Sequence, residues 1–249
     1  MKKFVFESPD DLGRAAARLF LRLALEETGR KGLFTVALSG GSTPGPFFTI
    51  LATEFRGLIP WDRVHFFWGD ERCVPPGDAE SNFNSARESL LSKIDIPENN
   101  VHRIKGELEP EEAARAYEDE IRAFFSTPPP RTPSLDLVFL GIGEDGHTLS
   151  LFPGSKALAE KKKLVAANYV DRLGSWRITM TLRLVNNASR VAFLVSGERK
   201  DNILREVLNS GGNPRYPAQM IRPAKGELFL FADKSSMGRI LRVSRGILG

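Results

Sequence analysis

The chain has 249 residues, 41% of them hydrophobic, which suits a sizeable core in one α/β domain spanning 1–249. Lys plus Arg is 35 against 31 for Asp plus Glu, a formal charge of +4; the excess is scattered, so it fits an anionic small molecule and gives no argument for nucleic acid. The single cysteine, Cys73, excludes an intrachain disulfide and fits a reducing compartment, and no stretch approaches the roughly 18 apolar residues of a membrane span.

The amino terminus, Met1 to Glu7, lacks the apolar core of a signal peptide, so the expectation is a soluble cytoplasmic protein. Ser8-Pro9-Asp10 predicts the start of a helix over Leu12 to Glu27, with Gly29 closing it. Leu33 to Leu38 reads as a buried strand that runs into Ser39-Gly40-Gly41-Ser42-Thr43-Pro44, and a helix follows from about Pro46 to Phe55. Val64 to Trp68 is a second strand, ending in Gly69-Asp70-Glu71-Arg72. Helices are predicted over Ser81 to Leu91 and Pro110 to Phe125. The segment Thr127 to Pro133 holds four prolines, which fix φ and remove donors, so it is a connector. Leu135 to Leu140 is a strand that leads into Gly141-Ile142-Gly143-Glu144-Asp145-Gly146-His147-Thr148. Arg177 to Leu184, Arg190 to Val195 and Leu228 to Ala232 read as further strands, with a helix from Ser196-Gly197-Glu198-Arg199-Lys200 to about Leu208. Strands spaced by helices predict an α/β fold: an open, mostly parallel sheet with helices on both faces.

In such sheets ligands bind beyond the carboxyl ends of the strands. Three loops at predicted strand ends carry polar chemistry. The Ser39–Pro44 loop offers backbone N–H groups at its paired glycines, hydroxyls, and a following helix, a setting that favours phosphate over an ordinary capped turn. It is not a P-loop, because the Gly-Lys-Ser/Thr ending is missing. In Gly69–Arg72, Asp70 or Glu71 suits a substrate hydroxyl and Arg72 an oxyanion or phosphate; a structural ion-pair cluster is the alternative. His147 has a carboxylate, Asp145, two residues before it, the pattern of an oriented general base. The glycines before it match G-x-G-x-x-G, but Leu151-Phe152-Pro153-Gly154 interrupts the long helix that a dinucleotide site requires. The other two histidines, His65 and His102, lie in strand-like contexts; no close pair and no metal-ligand spacing is evident. Arg177 and Lys200 are single cations near strand ends, and Cys73 reads as a bystander thiol.

Taken in order, several segments resemble the 6-phosphogluconolactonase family: Leu38–Pro44; Trp68–Pro75 with Ser81-Asn82; Leu140–Thr148 followed by Ser150–Gly154; Arg177-Ile178-Thr179; Gly197–Lys200; Pro217-Ala218; and Gly226-Glu227-Leu228. The resemblance implies a Rossmann-like fold shared with sugar-phosphate isomerases and deaminases. It also implies hydrolysis of 6-phospho-D-glucono-1,5-lactone without a metal or cofactor, in the oxidative pentose phosphate pathway. The chain departs from the pattern at Leu173-Gly174-Ser175-Trp176, where prolines are frequent, and at Phe229-Leu230, where Trp-Phe is frequent.

On that resemblance, His147 is the general base and Asp145 its orienting carboxylate, and either backbone N–H groups of the glycine turn or Arg72, counted among the catalytic residues, meet the oxyanion. Gly40, Gly41, Ser42 and Thr43, with Arg177 and Lys200, hold the phosphate, and Asp70 contacts a substrate hydroxyl. The expected partner is a small sugar phosphate lactone, with no nucleic acid, no membrane, and a monomer favoured. Two rivals remain: a hexosamine-6-phosphate isomerising deaminase, whose pattern continues from Asp-Gly-His into Phe-Asn-Glu-Pro where this chain has Ser150-Leu151-Phe152-Pro153, and a non-catalytic sugar-phosphate-binding regulator.

Overall fold

A computed structural model describes residues 1–41, 43–209 and 213–238. Strand β1 (Lys2–Phe6) leads into α1 (Pro9–Lys31), where the Ser8 hydroxyl accepts the Asp11 N–H and Pro9 opens the first turn. The helix runs through Gly29 and ends at Gly32, whose φ of 88° is left-handed and whose N–H bonds the Thr28 carbonyl. The expected stop at Gly29 is thus corrected. One exposed glycine costs a helix about 1 kcal/mol, and the buried stripe Phe20, Leu23, Ala24, Glu27, Thr28 outweighs it.

Then follow β2 (Phe34–Leu38), α2 (Pro44–Thr53), β3 (Val64–Trp68), β4 (Asp70–Arg72), α3 (Asn82–Ser89), β5 (Val101–His102), α4 (Pro110–Phe124) and β6 (Leu137–Leu140). The remaining elements are β7 (Val165–Val170), β8 (Ser175–Met180), α5 (Leu182–Val185), β9 (Arg190–Val195), α6 (Asp201–Leu208) and β10 (Glu227–Asp233). The strand expected over Arg177 to Leu184 leaves the sheet at Met180, because Thr181 turns the chain into α5 and donates its hydroxyl to the Lys163 carbonyl at 2.9 Å.

The main sheet has seven strands in the order β1-β10-β9-β6-β2-β3-β5, and every pairing in it is parallel. Its central strands β2, β6 and β9 are buried along almost their whole length, which explains their continuous apolar sequences. Right-handed crossovers place α1 and α2 on one face and α4 and α6 on the other. The first face is sealed by Phe20, whose ring lies 5.2 Å from Phe34, 5.9 Å from Phe66 and 6.0 Å from Trp61. A second, three-stranded antiparallel sheet, β4-β8-β7, packs against α4.

From β2 the chain moves outward to β3 and β5; from β6 it moves the opposite way, to β9 and β10. The two strands are neighbours, in register at Val36↔Leu137. Their carboxyl ends therefore flank a topological switch point, where an open α/β sheet forms its crevice.

One expectation fails on the far side of β3. His65 and His102 do form a pair, Nδ1 to Nε2 at 3.1 Å, because β5 lies beside β3 with His102 opposite Phe67, on the same face as His65. Glu120 of α4 takes the other nitrogen of His102 at 2.8 Å.

Candidate active site

A cleft of about 220 Å³ opens at the switch point, and the loops after β2, β3 and β6 form its walls. Gly40, Gly41, Thr43, Asp70, Arg72, His147 and Lys200 all line it, so segments more than a hundred residues apart in sequence meet there. Ser42 lies outside the described residues.

The loop after β2 is tied down from behind. The Ser39 hydroxyl donates to the Phe139 carbonyl at 2.7 Å, stapling the end of β2 to β6, so this hydroxyl is not free for a ligand. Gly41 has a φ of 99°, and a Cβ at Gly40 would stand 1.8 Å from Asn82 Oδ1; neither position admits another residue without rearrangement. Thr43 makes no side-chain cap to α2. Pro44 and Pro46 carry no N–H, so the donors that remain for an anion are in the loop and at Gly45.

Strand β4 begins one residue after β3 ends, and its side chains divide the work. Asp70 is buried, and its Oδ2 accepts the Ser150 hydroxyl at 2.7 Å. Burial pushes this carboxyl up, against the Ser150 bond and the charges of Arg72, His147 and Arg177. Glu71 points away from the cleft. It accepts the N–H groups of Arg72, Asn82 and Phe83 at 2.7 to 2.8 Å and the Ser81 hydroxyl at 3.1 Å, anchoring α3 behind the site. Burial raises it too, though those backbone bonds pull it down. Glu71 is therefore a structural carboxylate, and Asp70 is the one of the two that faces the cleft.

Arg72 donates to the Glu80 carbonyl and lines the cleft. Arg177 stands opposite it across the β4–β8 pair but is not among the cleft-lining residues; its guanidinium donates to the Ser175 hydroxyl at 2.8 Å and the Trp176 carbonyl at 2.9 Å. Burial and the neighbouring Arg72 charge lower it. Both of those bonds come from Nη1 of Arg177. Lys200 reaches the cleft from a tight turn after β9. Gly197 starts that turn at a φ of 100°, and Asp233, at the end of β10, accepts the Ser196 hydroxyl at 2.7 Å and the Gly197 N–H at 3.3 Å.

The segment after β6 is a chain of turns, without the helix a dinucleotide site needs. The Gly143 N–H donates to the His147 carbonyl at 2.8 Å and the Gly146 N–H to the Gly143 carbonyl at 2.9 Å. Gly146 has a φ of 78° against the Tyr216 ring, and Leu149 holds the left-handed region at 53°, uncommon for a side chain of that kind. These turns bring the Asp145 carboxylate to His147: Nδ1 donates to Oδ1 at 2.5 Å, and the same oxygen accepts the His147 N–H at 3.2 Å. Partial burial raises the Asp145 carboxyl, but the His147 bond and the charges of His147 and Arg172 outweigh it and hold it low. With Nδ1 committed to Asp145, Nε2 is the nitrogen left for a proton from the cleft.

Sequence reasoning missed Phe152 and Arg172 as parts of this site. The Phe152 ring lies 4.2 Å from that of His147, and Arg172 bonds the second Asp145 oxygen at 2.8 Å. Cys73 is a partly buried thiol pushed up to about 11 by burial, consistent with a bystander. Among the described residues, no group of three or more His, Cys, Asp or Glu side chains is placed to hold a metal ion, and no helix is long and apolar enough to cross a membrane.

A parallel sheet with its crevice at the β2–β6 boundary, a glycine-rich loop at that crevice and a histidine oriented by a carboxylate define an α/β protein with its cleft at the carboxyl ends of the strands. The model of the glucosamine-6-phosphate isomerases/6-phosphogluconolactonase family matches residues 7–230, and the chain belongs to that family. It is 40% identical over 240 residues to a 6-phosphogluconolactonase of Nostoc sp., covering 95% of this chain and 98% of the relative. It is also 40% identical over 209 residues to one of Treponema pallidum, covering 83% and 84%. Among solved structures, 6-phosphogluconolactonase from Trypanosoma cruzi aligns with a TM-score of 0.86 at 30% identity, covering 96% of each chain. A monomeric glucosamine-6-phosphate deaminase, at 19% identity and a TM-score of 0.78, shares the fold.

Proposed function

We propose that this chain hydrolyses 6-phospho-D-glucono-1,5-lactone to 6-phospho-D-gluconate, as a cytoplasmic enzyme acting on a small sugar phosphate. The observation that carries this reading is that His147, held by Asp145, lines the same cleft as the glycine loop after β2. The lactone is a cyclic ester with a phosphate remote from its reacting carbon. Binding energy at the phosphate orients the ring for attack. The Gly40–Thr43 loop and Lys200 hold the phosphate, and Arg177 supports them through its charge. Asp70 takes a ring hydroxyl.

His147 Nε2 removes a proton from water as the water oxygen bonds to C1, a contribution of roughly 10²–10⁴-fold. Asp145 keeps the proton of the imidazole on Nδ1 and stabilises the cation that forms. The Gly143 N–H is already spent on the His147 carbonyl, which makes the Arg72 guanidinium the stronger candidate for the developing oxyanion. His147 then protonates the departing ring oxygen, so the proton taken from water ends on the product hydroxyl.

The test generates the lactone in situ and follows acid release, with spontaneous opening as the blank. Wild-type protein accelerates the release, and His147→Ala lowers kcat by about three powers of ten with far less effect on phosphate affinity. Ammonia release from glucosamine 6-phosphate identifies the deaminase instead. Near-normal hydrolysis by His147→Ala ends the assignment of the base.

A further inference from the structure

The catalytic histidine sits in a closed ring of four side chains, one of which, Arg172, lies outside every motif segment of the chain. His147 Nδ1 hydrogen-bonds one oxygen of Asp145, and Arg172 Nη2 forms an ion pair with the other at 2.8 Å. The Arg172 guanidinium lies over the Phe152 ring, 4.8 Å from its centroid, and the opposite neighbour of that ring is His147, at 4.2 Å and 31°. Arg172 comes from a different sheet. It occupies the tight turn between β7 and β8, closed by Gly174 at a φ of 58° and stiffened by the cross-strand Tyr169–Trp176 pair at 5.3 Å. The turn belongs to the stretch in which this chain departs from the prolines expected there.

We infer that Arg172 is a positioning residue for His147: by pairing with the second oxygen of Asp145 it fixes the carboxylate in place and shares its charge, so that the imidazole is held in the orientation the reaction needs. This rests on the lactonase reading of the site. The physical argument has two parts. A carboxylate bound on one oxygen only can rotate about its terminal bond, whereas one bound on both oxygens, by partners anchored in separate sheets, cannot. A carboxylate facing a lone imidazole also favours the imidazolium strongly, and a general base in that form has no room for a second proton. A guanidinium on the far oxygen offsets part of that charge. The other charged side chains lining the cleft with His147 are Asp70, Arg72 and Lys200, and the Glu144–Arg199 pair at 3.6 Å stands near the same turn. Among the described residues, Asp145 forms ion pairs with His147 and Arg172 and with none of these, so Arg172 is the cation set to act through it.

The experiment compares wild type, Arg172→Met and Arg172→Lys. Arg172 is half exposed, so the variants are expected to fold, and a thermal melt checks this. With the lactone, Arg172→Met is expected to lose about tenfold in kcat with KM nearly unchanged, and the acid limb of its rate profile is expected to move to higher pH, because the free base becomes scarcer. Arg172→Lys keeps the charge and restores the limb. The second readout needs no activity. The His147 ring resonance, identified by its loss in His147→Asn, titrates at higher pH in Arg172→Met than in wild type. A limb and a titration both unmoved in Arg172→Met overturn the proposal, as does an equal fall in kcat and KM-dependent rate with an unmoved limb, which marks a purely structural turn. If wild type fails to hydrolyse the lactone, the function reading falls, and the imidazole titration still decides the role of Arg172.

Discussion

Replacing Gly143 by alanine tests the placement of His147 without removing any reacting group. A Cβ built at this position stands 2.0 Å from His147 Nδ1, 2.1 Å from Cε1 and 2.7 Å from Asp145 Oδ1, where ordinary contact begins at 3.4 Å. The imidazole must therefore withdraw by more than about 1 Å and give up its bond to Asp145, and a misplacement of that size costs on the order of 10²-fold in rate. That is about 2.7 kcal/mol of transition-state stabilisation. The fold has little reason to fail. The φ of Gly143 lies outside the left-handed region, and an alanine at a compatible position gains about 0.4–1 kcal/mol through the unfolded chain. That gain roughly cancels the loss of one hydrogen bond, worth about 1 kcal/mol. A melting temperature within about 4 °C of wild type, an unchanged inhibition constant for inorganic phosphate, and a kcat lowered about a hundredfold form the expected pattern. A folded Gly143→Ala protein with wild-type kcat would refute the reasoning, since the reaction would then not depend on the imidazole where the turn puts it.

Asp70→Asn trades activity for stability. The folded carboxyl is raised by burial, so its contribution is fully present below the unfolded value of about 3.9 and is lost as pH rises through the folded value. The amide removes that cost: its melting temperature, relative to wild type, should climb between pH 4 and pH 8 while lactone turnover falls. Melts run at several pH values decide it, and a constant or negative difference across the series contradicts it. His65 behaves in the opposite sense. Burial and the neighbouring His102 lower it to about 4, so its contribution is present above about 6.5 and is lost as pH falls toward 4. Acid should therefore destabilise wild type over that window more than His65→Gln, as read by urea midpoints at pH 7 and pH 4.5; parallel losses would exclude the histidine pair as the cause.

Much of the architecture is legible in order, because β2, β3, β6 and β9 are apolar runs that end in glycine. Their burial on both faces makes the pattern simple. The second sheet is harder to see. Strand β7, Val-Ala-Ala-Asn-Tyr-Val, lacks a continuous apolar run, since Asn168 is buried by donating to the Ser150 carbonyl at 2.8 Å. Strand β4 is a charged tripeptide whose burial depends on Asn82, Ser81 and Ser150, none of them neighbours in sequence. The site divides the same way. His147, Asp145 and the glycine loop announce themselves through local spacing, whereas Arg172 and Phe152 matter only through contacts that the fold creates, and a lone arginine in a turn carries no pattern. Arg177 shows the converse: its motif is recognisable, yet its Nη1 bonds within its own strand.

Gly69 is where the two sheets meet. Its N–H donates to the Leu38 carbonyl at 2.8 Å and its carbonyl accepts the Met180 N–H at 2.7 Å, so one residue is riveted to both. A side chain there would collide with Leu149, 2.5 Å from the ideal Cβ. Because the rivet lies at the root of the smaller sheet, a change at the free end of the β7–β8 ribbon leaves the joint between β3 and β8 in place.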